Sequence, residues 1–167
     1  MSMIGQFIRI PAAELQTYLK DSALLEERLD SVEGDEEEFF DIDKSWDALS
    51  FLLTGHTLEN VSSATPPLSW TIFGNGTVDP EQELGYGPAK YLTSEEVQAV
   101  HQAISSLSAT ALMERYDAEK LNAHHIYPEQ WDDSSDWTTY LADNFEALKD
   151  FYAKAAIEHQ AMILFLT

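Results

Sequence analysis

The sequence predicts an α+β fold: a single compact domain with a small mixed sheet, its N- and C-terminal strands central and adjacent, packed by about five helices. Three observations predict it. Residues Met3 to Ile10 and the closing "QAMILFL" (Gln160 to Leu166) are apolar on both faces of a strand. Between them, apolar residues recur at helical spacing in several separate runs. At 167 residues with no internal repeat, residues 1–167 fit one domain of the usual ~100–200 residues.

The elements follow in order. In the first strand Ile4, Ile8 and Ile10 share one face and Met3 and Phe7 the other. Pro11 ends the strand and suits the first turn of a helix, so "PAAELQTYLKDSALLEERLDSV" reads as helix with a break near Asp21-Ser22. From Glu26 to Asp43 there are ten acids against one basic residue, Arg28. Like charges repel, and Glu33 to Glu38 is read as an exposed connection. In "DIDKSWDALSFLLTG" (Asp41 to Gly55), Ile42, Trp46, Leu49 and Leu53 line one helix face. Asp41 or Asp43 stands where an N-cap belongs, and Gly55 suits a left-handed stop.

From His56 to Gly87 the Pro and Gly residues indicate loop, with a short strand expected at Leu68 to Phe73 from its aromatic and β-branched content. "GPAKYL" reads as extended. Thr93 and Glu96 form a T-x-x-E capping box, and Val97, Val100, Ile104 and Leu107 make the stripe of the helix behind it. One or two short helices are expected over Ser108 to Arg115 and Asp117 to Asn122, and a long one from about Asp136 to Ala156. A final strand as apolar as "QAMILFL" belongs inside the sheet, because an exposed edge of that kind invites aggregation.

Composition limits the chemistry. There is no cysteine, which excludes disulfides, thiol catalysis and Cys-held zinc or iron–sulfur centres. The first residues carry no basic and apolar signal pattern, and the apolar runs are far shorter than the ~20 residues of a membrane helix. A cytoplasmic location is therefore expected, and the sequons at Asn60 and Asn75 are read as chance matches. Thirty acids against nine Lys and Arg give a formal charge of −21. Such a surface repels nucleic acid and anionic membranes and attracts a basic protein. It also helps keep a protein in solution, which needs no partner.

No HExxH, GxSxG, Walker loop, EF-hand series or kinase motif is present, and "GNG" and "GYG" complete no phosphate-binding loop. Adjacent His124 and His125 lack a carboxylate partner at metal-site spacing. No cofactor and no metal site are expected. Asp41, Asp43 and Asp47 could form a carboxylate cluster, although capping accounts for the first two. The candidate binding residues are Asp43, Lys44 and Asp47 at the helix start, with Tyr86, Tyr127 and Trp131 from aromatic-rich loops.

Taken together, "DIDKSWDALSFLLTG", "GYGPAKYLTSEEV", "YDAEKLNAHHIYPEQW" and "DNFEALKDFYAKAAIEHQAMILFLT" resemble the YfbM-like family of bacterial proteins, a domain of unknown function. The opening "MSMIGQFIRIPAAEL" is similar as well. The resemblance covers essentially the whole chain and is weakest in the acidic insert and the Pro/Gly-rich middle. It implies a single α+β domain and carries over no reaction, cofactor or catalytic residue. Three functional readings follow. The first is a non-enzymatic acidic interaction domain, of the inhibitor or immunity kind, that meets a basic partner. The second is a small-ligand binder or enzyme with a cleft near the Asp41–Asp47 helix start and the aromatic loops, and the third is metal binding through Asp and His.

Overall fold

The computed structural model describes residues 2–167. The two apolar termini lie side by side. Strand β1 (Gly5–Ile10) runs antiparallel to β5 (Ala161–Leu166), with Phe7 opposite Leu164 and Ile8 opposite Ile163. Phe7 and Leu164 face one core cluster and Ile8 and Ile163 the other. That two-sided burial explains why neither strand alternates apolar with polar.

Three short strands complete the sheet: β2 (Phe39–Asp41), β3 (Gly76–Thr77) and β4 (Lys90–Leu92). The order is β2-β1-β5-β4-β3, with β5 central and β1 beside it. Every pairing is antiparallel, which corrects the expected mixed sheet. The physical reason is the route of the chain. It returns to the sheet at the end where β1 stops, with Ile10 opposite Ala161, so no parallel crossover forms.

Helices cover both faces. Helix α1 (Ala12–Lys20) and α2 (Ser22–Asp30) pack Leu15, Tyr18 and Leu25 on one side. They are separated at Asp21, whose extended backbone ends α1 and whose carboxylate accepts the Ala23 N–H to start α2. The other face carries α3 (Trp46–Thr54), α4 (Trp70–Phe73), α5 (Ser94–Ser105), α6 (Ala109–Met113), α7 (Ala118–Ala123) and α8 (Ser135–Ile157). The stripe Val97, Val100 and Ile104 of α5 lies against α8, which contributes Phe145, Leu148 and Tyr152. Fully burying a side chain such as Phe145 stabilises the fold by about 1.5–3 kcal/mol. Among the described residues no helix is long and apolar enough to cross a membrane.

Two segments differ from expectation. Leu68 to Phe73 forms no strand; its last four residues are the single helical turn α4. Ile72 is buried there, and the Tyr152 hydroxyl donates to the Thr71 carbonyl at 2.6 Å, so tertiary contacts override the β-propensity of the residues. Strand β2 was not anticipated, because three residues are too few for a periodicity. What fixes it is aromatic packing: Phe40 stacks on Phe151 of α8 at 5.0 Å, and the Arg28 guanidinium lies 4.9 Å from the Phe39 ring centre.

Candidate functional site

Residues Trp46 to Leu53 of α3 are buried without interruption. A helix placed so deeply should not carry a carboxylate, yet Asp47 is only 7% exposed. Its Oδ2 accepts the Tyr127 N–H at 2.8 Å across 80 residues of sequence. Burial pushes the Asp47 carboxyl above the usual carboxylate range, and the Tyr127 N–H pulls it partly back. No donor among the described residues reaches Oδ1, and that oxygen is not sealed from solvent.

The solvent it meets fills a cleft of about 680 Å³ between the 57–60 loop and the 123–129 turn. The half-buried Tyr127 ring lines it and stacks on the buried Trp46, with centroids 5.4 Å apart at 22°. Both are tied to the N-terminal segment: the Trp46 indole donates to the Met3 carbonyl at 3.0 Å, and the Tyr127 hydroxyl accepts the Met3 N–H at 2.9 Å. Leu58, Glu59, His124, His125 and Glu129 also line the cleft, and among the described residues no Lys or Arg does. The backbone around it is strained. His125, Glu129 and Gln130, in and just after the 123–129 turn, are three of the five described non-glycine residues with positive φ, at 53°, 70° and 62°. Each such residue costs of order 1–3 kcal/mol and persists only where its surroundings hold it.

Asp43 and Lys44 lie on the far side of Pro128, which borders both hollows. Their hollow, about 410 Å³, also takes in Trp137 and Tyr140 of α8. The Tyr140 hydroxyl donates to Asp43 Oδ2 at 2.7 Å and accepts the Lys44 N–H at 3.0 Å. Burial and the Asp43 carboxylate both push the Tyr140 phenol above its ordinary value. Neither Asp41 nor Asp43 caps α3. Asp41 accepts the Asp43 N–H, a short 3-10 turn over Asp43–Ser45 intervenes, and Ser45 donates to the Ile42 carbonyl instead of capping.

The other two candidates lie elsewhere. Trp131 is 4% exposed and belongs to the core, its indole donating to the Ile126 carbonyl at 2.9 Å and its ring against Trp137. Tyr86 sits on the rim of a third hollow of about 190 Å³, with Phe73, Pro88 and Lys90, which touches the Asp47 cleft only through Leu58. The structure therefore brings Asp47 and Tyr127 together, sets Asp43 and Lys44 next door, and separates Tyr86 and Trp131 from both. Leu58, Glu59 and Tyr140 were not singled out in the sequence. Their roles come from tertiary placement, and a lone exposed Leu-Glu pair or a Tyr at helical spacing gives no local signal.

A further groove, about 540 Å³, opens on the opposite face of the sheet. Leu29, Val32, Phe39, Leu84 and Phe165 give it an apolar floor, and its charged lining is Glu26, Asp30 and Glu83. The basic residues that could offset these acids are largely tied back into the fold. Arg9 is 4% exposed and bound to Glu37, Glu158 and Gln160, and Arg28 holds Glu36. Arg115 donates to the Leu52 carbonyl, Lys149 to the Leu107 carbonyl and Lys90 to the Thr77 hydroxyl. Among the described residues no three His, Asp or Glu side chains gather closely enough to hold a metal ion.

With the geometry in place, comparison with known proteins adds the following. Residues 1–165 match the family described as "Domain of unknown function (DUF1877)". The chain is 30% identical over 131 residues to Protein YfbM of Escherichia coli (strain K12), an alignment spanning 77% of this chain and 74% of that protein. The crystal structure of YfbM from Escherichia coli, described as a protein of unknown function, superposes with a TM-score of 0.75. That superposition covers 98% of this chain and 99% of the other at 21% identity, and it shows a shared fold.

Proposed function

Because the chain belongs to the DUF1877, YfbM-like family, whose description assigns no reaction, we propose that it is a non-enzymatic interaction domain that docks a basic protein partner. The observation supporting this reading is the fate of the basic side chains. Of nine Lys and Arg, five (Arg9, Arg28, Lys90, Arg115 and Lys149) are engaged with the protein's own acids, carbonyls or hydroxyls, while the thirty acids are mostly exposed. With a formal charge of −21 and most of the acids at the surface, the outward field is predominantly negative, which steers a cationic partner and repels phosphate backbones and anionic lipids. The groove framed by Glu26, Asp30 and Glu83 over an apolar floor is where we place the contact. It suits a segment that offers an apolar anchor flanked by Lys or Arg. An inhibitor or immunity protein working by charge complementarity in the cytoplasm fits this class.

The test is affinity capture from source lysate at about 0.02 M and about 0.3 M salt, which spans Debye lengths from ~20 Å to ~6 Å. A basic protein should be retained at low salt and released at high salt. Neutralising Glu26, Asp30 and Glu83 to Gln or Asn should cost more retention than neutralising the exposed Glu114, Glu119 and Asp133. The absence of any salt-sensitive basic protein would overturn the reading.

A further inference from the structure

We propose that the cleft between the 57–60 loop and the 123–129 turn binds an organic cation, an ammonium or guanidinium head on an apolar stem, with the Asp47 carboxylate as its anchor. The inference is independent of the basic-partner reading and concerns the other side of the sheet.

Three observations converge on this chemistry. Asp47 is more than nine-tenths buried, with Oδ2 committed to the Tyr127 N–H and Oδ1 without a donor among the described residues. A carboxylate taken so far out of water has lost hydration that one backbone hydrogen bond does not replace. A cationic donor reaching Oδ1 supplies a charge-assisted bond and favours the ionised form of the group. The lining also selects the sign of the ligand. Asp47, Glu59 and Glu129 line the space beside His124 and His125, and among the described residues no Lys or Arg does, so the fixed charge of the lining favours a cation over an anion.

The rest of the cleft selects an organic ligand over a bare metal ion. Among the described residues its carboxylates do not assemble three close ligands, and its lining includes the half-buried Tyr127 ring, backed by the buried Trp46, and the exposed Leu58. An aromatic face and an aliphatic side chain suit the stem, and the aromatic face also attracts the cationic head. At about 680 Å³ the cleft has the size of an ordinary small-molecule site. The Tyr127–Pro128 turn and the Met3 contacts hold the wall before a ligand arrives, which lowers the ordering cost of binding.

The chemistry has two possible sources, a free amine or a basic side chain of a peptide, and the test separates them. The full chain is titrated by NMR with n-butylguanidinium, spermidine, acetyl-Gly-Arg-Gly-amide and, as a neutral control of similar shape, butyramide. The signals read are the Trp46 indole N–H and the Tyr127 amide. Saturable shifts from the cations, at least about tenfold stronger than from butyramide, are expected. Response to the peptide alone assigns a side-chain site, and response to the free cations alone assigns a metabolite site. Asp47→Asn keeps an acceptor for the Tyr127 N–H and should weaken cation binding about tenfold or more. Glu59→Gln, at an exposed rim position, should weaken it by a few-fold and secures the test should Asp47→Asn fail to fold. Equal shifts from butyramide, or full cation affinity in either variant, overturns the proposal.

Discussion

Two helix starts in this molecule carry similar sequence signals and are built on different physics. At the start of α5, Thr93 accepts the Glu96 N–H at 3.2 Å and Glu96 accepts the Thr93 N–H at 2.9 Å, which closes the capping box within four residues. At the start of α3, acids stand at 41, 43 and 47, and none caps the helix. Asp47 bonds Tyr127 and Asp43 bonds Tyr140, 80 and 97 residues away. The first start is a local device and the second a tertiary clamp. Acids near a helix N-terminus satisfy orphan N–H groups where the helix is exposed. Where α3 is buried, its carboxylates are worth more as acceptors for the turn and the helix that pack against it.

Replacing Asp47 should separate the two cases most sharply. Asp47→Ala leaves the Tyr127 N–H without its acceptor, at a cost of about 1–3 kcal/mol, read as a shift of the denaturant midpoint. Asp47→Asn keeps an acceptor and removes the buried charge, so near neutral pH it should be at least as stable as the parent. The sign of the pH effect follows from the raised pKa. The folded protein holds the Asp47 proton more tightly than the unfolded chain. The associated stability is fully present below the unfolded carboxyl pKa and is lost as pH rises through the raised folded value. Relative to the parent, Asp47→Asn should therefore lack that decline. A parallel decline in both proteins would show that Asp47 is not the group responsible.

Thr93→Ala should cost less, about 1 kcal/mol, with the effect confined to α5. Amide exchange should quicken in its first turn and remain unchanged at Tyr127. An equal loss of protection in the 123–129 turn would erase the distinction between local cap and long-range clamp.

The same contrast explains what could be read in advance. The capping box, the Gly55 stop at φ 73° and the paired terminal strands were legible because periodicity or neighbouring residues determine them. The break at Asp21 was legible for the same reason. Strand β2 and α4 were not, since Phe40 and Ile72 take their conformations from packing partners distant in sequence. At the candidate site the sequence suggests one cleft for Asp43, Lys44, Asp47, Tyr86, Tyr127 and Trp131, and the structure brings only Asp47 and Tyr127 of these together. Nothing local shows that Asp47 points inward while Asp43 turns out to a tyrosine of α8. Trp131 misled in the opposite sense: its polar neighbours suggest a surface, yet Asn122 holds its backbone at 2.8 and 2.9 Å and buries the ring.

The smallest effect tests the weaker half of the clamp. Among the described residues the hydrogen bonds from Asp43 and Lys44 to α8 are those of the Tyr140 hydroxyl, which both donates and accepts. Tyr140→Phe removes both bonds while keeping the ring against Trp137, and it should destabilise by about 0.5–1.5 kcal/mol. Asp43→Asn retains an acceptor and should cost less on its own. In a double-mutant cycle the pair should couple by several tenths of a kcal/mol, because a single hydrogen bond joins the two side chains. Asp47→Asn combined with Tyr140→Phe should instead be close to additive, since the two clamps share no hydrogen-bond partner. Coupling between those two would mean that Pro128, common to both hollows, transmits a shift from one clamp to the other, and the start of α3 would then act as one unit.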